Sequence, residues 1–268
     1  MSRSGSAQRP QPDDGLADHL AVTGLAGWVA TSPASTLTNC SKLVEGDPRY
    51  TFGLSDWRDT SLREAVDAVR ALCGGDPGGA AEQHGRGWID PKATLAGASR
   101  HRDVLASLTA AGGGRVLIAT GHPTGLLGHY LALARSLQAH GCLLVTPLDD
   151  VVLDTAPDGR ARSLRFIDGV GAVSDGGSLR HTHRSTFMEA ALDALGGARA
   201  VDLVIGDHGM AGAAIERGIR TLSIADVNDP ALPLAQVRGR TDGVLVMDDN
   251  IAPRAYVPLT NLLLDWDR

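Results

Sequence analysis

Four places in the chain put an acid or an imidazole directly after a short apolar run. Gly121-His122 follows Val116–Thr120, and Asp207-His208-Gly209 follows residues 202–206. Asp226-Val227-Asn228-Asp229 follows residues 220–225, and Asp248-Asp249-Asn250 follows residues 243–247. A fifth polar group, Arg180-His181-Thr182-His183, comes shortly after Ser174-Asp175-Gly176-Gly177. Taken singly, each reads as a helix cap or a turn. Taken together they require a common chemistry, because carboxylates brought close repel unless they are protonated or meet a cation. Asp and Asn oxygens with few thiols favour a hard ion, Mg²⁺ or Mn²⁺. The expected ligands are Asp207, Asp226, Asn228 and Asp249, and a nitrogen from His208 would tilt the choice toward Mn²⁺.

Such an ion polarises a phosphoryl oxygen and activates water. The basic groups suit the anion itself: Gly121, Thr124 and Gly125 in the first turn, then Arg180, His181, His183 and Asn250. His122, Asp207, His208 and Asp226 are the expected catalytic residues. A covalent route through Asp207 or Asp226 is the alternative to direct attack by water. The same groups would serve a sugar-phosphate isomerase working by His/Asp acid–base chemistry, a metal-assisted amide hydrolase, or a nucleotide-binding module without turnover. Three common signatures are absent: the P-loop, the three-glycine dinucleotide turn, and the Cys-X5-Arg loop of cysteinyl phosphatases. The Asp-X-Asp-X-Thr pattern of haloacid-dehalogenase phosphatases is missing too, with Asp149-Asp150 only a partial echo.

The elements that must position these groups are legible from Arg115 onward. Arg115–Leu137 reads strand, tight Gly-His-Pro-Thr-Gly turn, amphipathic helix, the opening of a βαβ unit. A helix N-terminus at such a turn attracts anions. Strands are expected at 115–120, 142–147, 202–206, 220–225 and 243–247, with a short one at 171–174. Helices are expected at about 125–139, 184–196, 210–217 and 253–265. Two short runs, 150–155 and 162–167, flank an Ala-Pro-Asp-Gly-Arg turn and read as an inserted β-hairpin. The alternation implies an α/β fold: three layers, doubly wound, with a mostly parallel sheet. In such a sheet ligands bind outside the carboxyl ends of the strands, where all four acid and imidazole groups fall.

Residues 1–13 are polar and Pro-containing, and disorder is expected there. Residues 14–111 read as a helical N-terminal lobe, with helices from Asp14 to about Ala26, Ser61 to Leu72, and Asp90-Pro91 to about Ala111. The stretch 73–89 is Gly-rich and reads as a loose connection. Residues 112–268 form the Rossmann-like core, with the lobe and core making one compact unit.

The 268 residues carry a formal charge of -6, which argues against nonspecific nucleic-acid binding. No apolar run reaches membrane-spanning length, and the N-terminus has no signal-peptide core. Three cysteines without a metal-ligand spacing suggest a reducing, cytoplasmic setting. The expected partner is a small phosphorylated substrate, and the apolar C-terminal helix, Leu259 to Trp266, offers a surface for a homodimer.

The segments GHPTGLLGHY, VSDGGSLRHTH, VIGDHGMAGAA, ADVNDPAL and MDDNIAPRAYVPL together resemble an actinobacterial family of phosphatases. Arg49–Leu54 and Ile89-Asp90-Pro91 extend the likeness, which spans most of residues 39 to 260. The resemblance implies a phosphomonoesterase acting on a small molecule, with a nucleotide-like or sugar phosphate from a natural-product pathway as one candidate. The chain departs from the family pattern across 73–88 and at Met210, where an aromatic is expected.

Overall fold

The computed structural model describes residues 12–75 and 84–266. The tail expected at 1–13 therefore lies almost wholly outside the described residues, as does the middle of the Gly-rich connection at 73–89. The N-terminal segment contains α1 (Pro12–Thr23), β1 (Gly27–Val29), α2 (Pro33–Val44), the single turn α3 (Pro48–Thr51), α4 (Leu62–Cys73), β2 (Gly87–Ile89) and α5 (Pro91–Ala110). The first helix starts at Pro12, ahead of the cap expected at Asp14.

Local chemistry sets the boundaries of the others. Ser32 caps α2 by accepting the Ser35 N–H, with Pro33 in the first helical position. Ser61 and Glu64 form a reciprocal capping box on α4, and Gly74 closes that helix at φ 69. Asp90 accepts the Lys92 N–H at 2.9 Å and starts α5. Each such cap is worth about 1 kcal/mol. Neither α2 nor the antiparallel ribbon of β1 and β2, with Trp28 opposite Trp88, was expected from the sequence.

The second half alternates. It runs β3 (Arg115–Thr120), α6 (Pro123–Ala139), β4 (Leu143–Leu144), β5 (Val152–Thr155), β6 (Ala161–Ile167), β7 (Val170–Ser174) and α7 (Thr186–Ala194). It continues with β8 (Leu203–Asp207), α8 (His208–Glu216), β9 (Thr221–Ala225), α9 (Ala231–Val237), β10 (Val244–Val246) and α10 (Val257–Leu263). The large sheet has the order β10-β9-β8-β3-β7-β6-β5, and β4 pairs with the first two residues of β3. The pairs β10/β9, β9/β8, β8/β3 and β3/β7 are all parallel. The expected hairpin forms as β5 and β6, but β7 pairs antiparallel with β6 and carries both into the main sheet as its edge.

Alternate residues of β3 supply the two faces. Val116 and Ile118 join one apolar cluster, Leu117 and Ala119 the other. Leu20, Leu43, Val69 and Leu105 of the N-terminal helices belong to the first cluster, so those helices cover that face. Leu259 and Leu263 of α10 are buried in the same cluster, within the chain itself. Cys40, Cys73 and Cys142 are buried and free. Among the described residues no helix is long and apolar enough to cross a membrane.

Candidate active site

The four neighbouring parallel strands β3, β8, β9 and β10 deliver their following residues to one edge. There the structure gathers His122, Asp207, His208, Asp226, Asp229, Asp248 and Asp249, all buried. Asp207 ends β8, and its Oδ1 accepts both the Gly121 N–H and His208 Nδ1, each at 2.7 Å. His208 opens α8 with φ 45, a left-handed conformation uncommon for a residue with a Cβ. This backbone aims the ring back across the strand ends, with Nε2 at 3.7 Å from Asp229 and 3.5 Å from Asp249. His122 Nδ1 lies 3.1 Å from Asp249 Oδ1.

The acids are held by short local bonds. Asp226 accepts the Thr31 hydroxyl and the Val227 N–H, both at 2.7 Å. Asp229 turns back to accept the Asp226 N–H at 2.9 Å, and Asp248 accepts the Asn250 N–H at 2.9 Å. The β9 loop is braced from outside by Asn39, whose amide donates to the Asn228 carbonyl at 2.8 Å. Two close approaches set the geometry. A Cβ on Gly125 would run into the Asp249 carbonyl, so α6 sits against the β10 loop only because that residue is glycine. Gly212 does the same for α8 against the Phe52 carbonyl. That contact seats Phe52 with its ring 5.3 Å from His208 and 5.5 Å from His183.

Electrostatics divide the imidazoles into two kinds. Burial alone would push the His208 pKa down, but Asp229, Asp207 and Asp249 outweigh it and hold it at about 10. For His122 the same contest between burial and Asp249 ends above the ordinary value. Burial and the neighbouring imidazoles depress His181 to about 4 and His183 to about 3. His181 stacks on His122 at 4.3 Å and His183 on His208 at 4.5 Å. His183 Nδ1 lies 2.9 Å from the Arg49 carbonyl, which can only accept. Nδ1 therefore carries the proton, and Nε2 is left as an acceptor 3.0 Å from His181 Nε2. Among the acids, burial and the charges of Asp249 and Asp248 push Asp226 well up. Burial raises Asp229 to about 6, with His208 opposing.

Three overlapping groups place ligand atoms within 4.8 Å of one another: Asp226, Asp248 and Asp249; His208, Asp229 and Asp249; and His122, His181 and His208. Asp249 Oδ2 and Asp207 Oδ2 are buried without a hydrogen-bond partner. Acids in this number, buried beside so few cationic groups, fit a divalent cation. Oxygen donors alone suit a hard ion, which favours the all-carboxylate group over the two that use His208.

This geometry redistributes the expected roles. Asp207 spends its Oδ1 on His208 and Gly121 and orients them, while the Asn228 carboxamide donates to Ser35 Oγ at 3.2 Å. Neither belongs to the carboxylate triad, and Asp248 takes a place the sequence reading did not assign. The Gly121 turn is also less open to an anion than expected. Three of its amides are committed: Gly121 to Asp207, His122 to Thr120 Oγ1, and Gly125 to the His122 carbonyl, while Pro123 has none. Thr124 lies exposed on the first turn of α6, and Asn250 is exposed beside Asp248. Arg180 is paired with Asp175 at 3.6 Å. Met210 is fully buried in the second apolar cluster, a packing residue. Asp229, Asp248 and Thr31 went unassigned from sequence. The first two sat in plain view beside Asp226 and Asp249, whereas Thr31 depends on the β1–β2 ribbon.

A family model described as Phosphatase matches residues 11–267. A protein of Streptomyces coelicolor named Phosphatase SCO2771 is 38% identical over 255 residues, covering 93% of this chain and 94% of the relative. No solved structure matches significantly. With the family model spanning nearly the whole chain and the relative aligned along almost its full length, this chain belongs to the phosphatase family and is a hydrolase of that class.

Proposed function

We propose that the chain hydrolyses the phosphomonoester of a small phosphorylated metabolite at the carboxyl edge of β3, β8, β9 and β10, with a divalent ion held by Asp226, Asp248 and Asp249. The observation that carries the reading is the convergence of buried acids and four imidazoles on that edge, including an Asp249 carboxylate oxygen that accepts no hydrogen bond. Oxygen-only ligands suit Mg²⁺ or Mn²⁺. When bound, the ion would polarise a phosphoryl oxygen and lower the pKa of water.

The rest of the chemistry belongs to the chain. His208, locked by Asp207 on one nitrogen, places positive charge where the phosphoryl oxygens gather charge in the transition state. His181 and His183 line the outer side. As water adds to phosphorus, an acid of the cluster takes its proton. The P–O ester bond breaks, and His122, paired with Asp249, supplies a proton to the departing oxygen. The tests are His122→Ala and Asp226→Asn, each expected to lower turnover at least ~100-fold, the scale of a lost acid–base or electrostatic group. Near wild-type rates in both would remove this site.

A further inference from the structure

The histidine pair opens outward into a second space. A cleft of about 320 Å³ adjoins His181 and His183 and is lined by Arg49, Tyr50, Arg162, Thr182 and Arg184. It is built by α3, β6 and the segment after β7, elements unrelated in sequence. Arg49 is countered by Asp47 at 2.7 Å and Arg184 by Asp154 at 2.8 Å. Arg162 differs: among the described residues no carboxylate pairs with it, and its Nε is buried without a hydrogen-bond partner. Lys42 adds charge from behind, with Nζ 3.1 Å from the Tyr50 hydroxyl and 4.6 Å from the centre of that ring. A cleft holding three guanidinium groups against two carboxylates carries surplus positive charge, and a guanidinium that lines it without a carboxylate partner is an anion receptor.

We propose that this cleft is a second anion subsite: the substrate carries, besides the phosphoryl group that is hydrolysed, a further phosphate or carboxylate bound by Arg162. The proposal rests on the placement of the hydrolytic centre beside His122 and His208, and it narrows the substrate class of that centre. Tyr50 and His183, packed edge to face with ring centroids 5.9 Å apart, both line the cleft and would form one wall beside the part of the substrate joining its two charges.

The test is calorimetric binding to the Mg²⁺-loaded full chain, using three inert phosphonates at several matched chain lengths. These are an alkylphosphonate, a carboxyalkylphosphonate and an alkylene bisphosphonate. The expected result is that one of the two doubly charged probes binds ~10-fold tighter than the alkylphosphonate, the arm that wins naming the second anion. Arg162→Ala should bring that ratio close to one, and Arg162→Lys should restore part of it. Arg49→Ala, at an exposed position, gives a second variant that lowers the ratio should the Arg162 variant not fold. Equal affinity for all three probes, a preference untouched by both alanine variants, or no binding of either doubly charged probe at about 10 mM would overturn the proposal. Hydrolysis of p-nitrophenyl phosphate, measured alongside, reports on the phosphatase reading alone. A binding preference without hydrolysis would leave the subsite standing and remove the reaction.

Discussion

Metal should stabilise the fold by an amount that can be worked out beforehand. Asp226, Asp248 and Asp249 bring carboxylate oxygens within 4.8 Å of one another in a buried setting. An ion that binds there and not to the unfolded chain adds RT ln(1 + [L]/Kd), about 2.7 kcal/mol at a hundredfold excess over Kd. For a chain of 268 residues the unfolding entropy is about 0.56 kcal/mol per degree, from roughly 2.1 cal/mol/K per residue. The midpoint should therefore rise by about 5 °C. The assay is thermal unfolding by circular dichroism after EDTA treatment, with and without added Mg²⁺ or Mn²⁺. Asp226→Asn keeps the size of the side chain and an oxygen for Thr31 while removing a ligand charge. In that variant the rise should shrink to about 1 °C. No rise with either ion, or the same rise in the variant, would refute the assignment of the triad, whatever the enzyme's activity.

Two further predictions concern how the site is held. Gly125 and Gly128 lie on the same helix, yet alanine should act in opposite senses. Gly128→Ala meets open space and should stabilise by about 1 kcal/mol through helix propensity. Gly125→Ala drives a methyl into the Asp249 carbonyl and should destabilise by about 1–3 kcal/mol while lowering turnover; urea unfolding and phosphate release check both. A third prediction uses His101, buried with Nε2 2.8 Å from the Gly243 carbonyl. Burial lowers its pKa from 6.5 to about 4, so the unfolded chain binds the proton first as pH falls. Its contribution to stability is whole above pH 6.5 and is lost as the pH falls toward 4. Between about pH 7 and 5 that loss is about 2 kcal/mol. In urea titrations at these two pH values, His101→Gln should lose about 2 kcal/mol less than the parent chain. An equal loss in both would refute it.

The sheet was legible where apolar runs were long and their ends chemically marked. The strand Arg115–Thr120 has the expected bounds, and Asp90-Pro91 starts its helix as its types require. What escaped was short or polar. Helix α2 buries Pro33, Thr36, Asn39, Cys40 and Leu43, a face with one large aliphatic residue and little apolar signal. The β1–β2 ribbon has only three residues a side, and α9 carries Pro233 within seven residues. The expected strand at 142–147 shrinks to Leu143–Leu144, because β7 takes over the far part of the β3 edge.

The strand ends that carry the candidate site followed from the rule for parallel sheets. Which oxygen stays free did not, because that depends on hydrogen bonds between distant residues. Asp207 looks like a ligand until His208 and Gly121 are seen to occupy it. Asp248 looks like a cap until its place beside Asp226 and Asp249 is known. Glu216 of α8 accepts the Ser55 N–H and pairs with Arg240 at 2.7 Å, contacts between distant residues that no local pattern marks. The arginine-lined cleft gathers residues of α3, β6 and the segment after β7, which are far apart in the chain and carry no local sequence mark of it.

The measurement that bears most directly on the whole account is release of inorganic phosphate from a panel of phosphomonoesters. It should be run on the protein as purified, after EDTA, and after Mg²⁺ or Mn²⁺ is restored. The account predicts release that EDTA abolishes and the ion brings back. Release that persists unchanged in EDTA would contradict the metal centre, and no release from any phosphomonoester with ion present would contradict the proposed reaction itself.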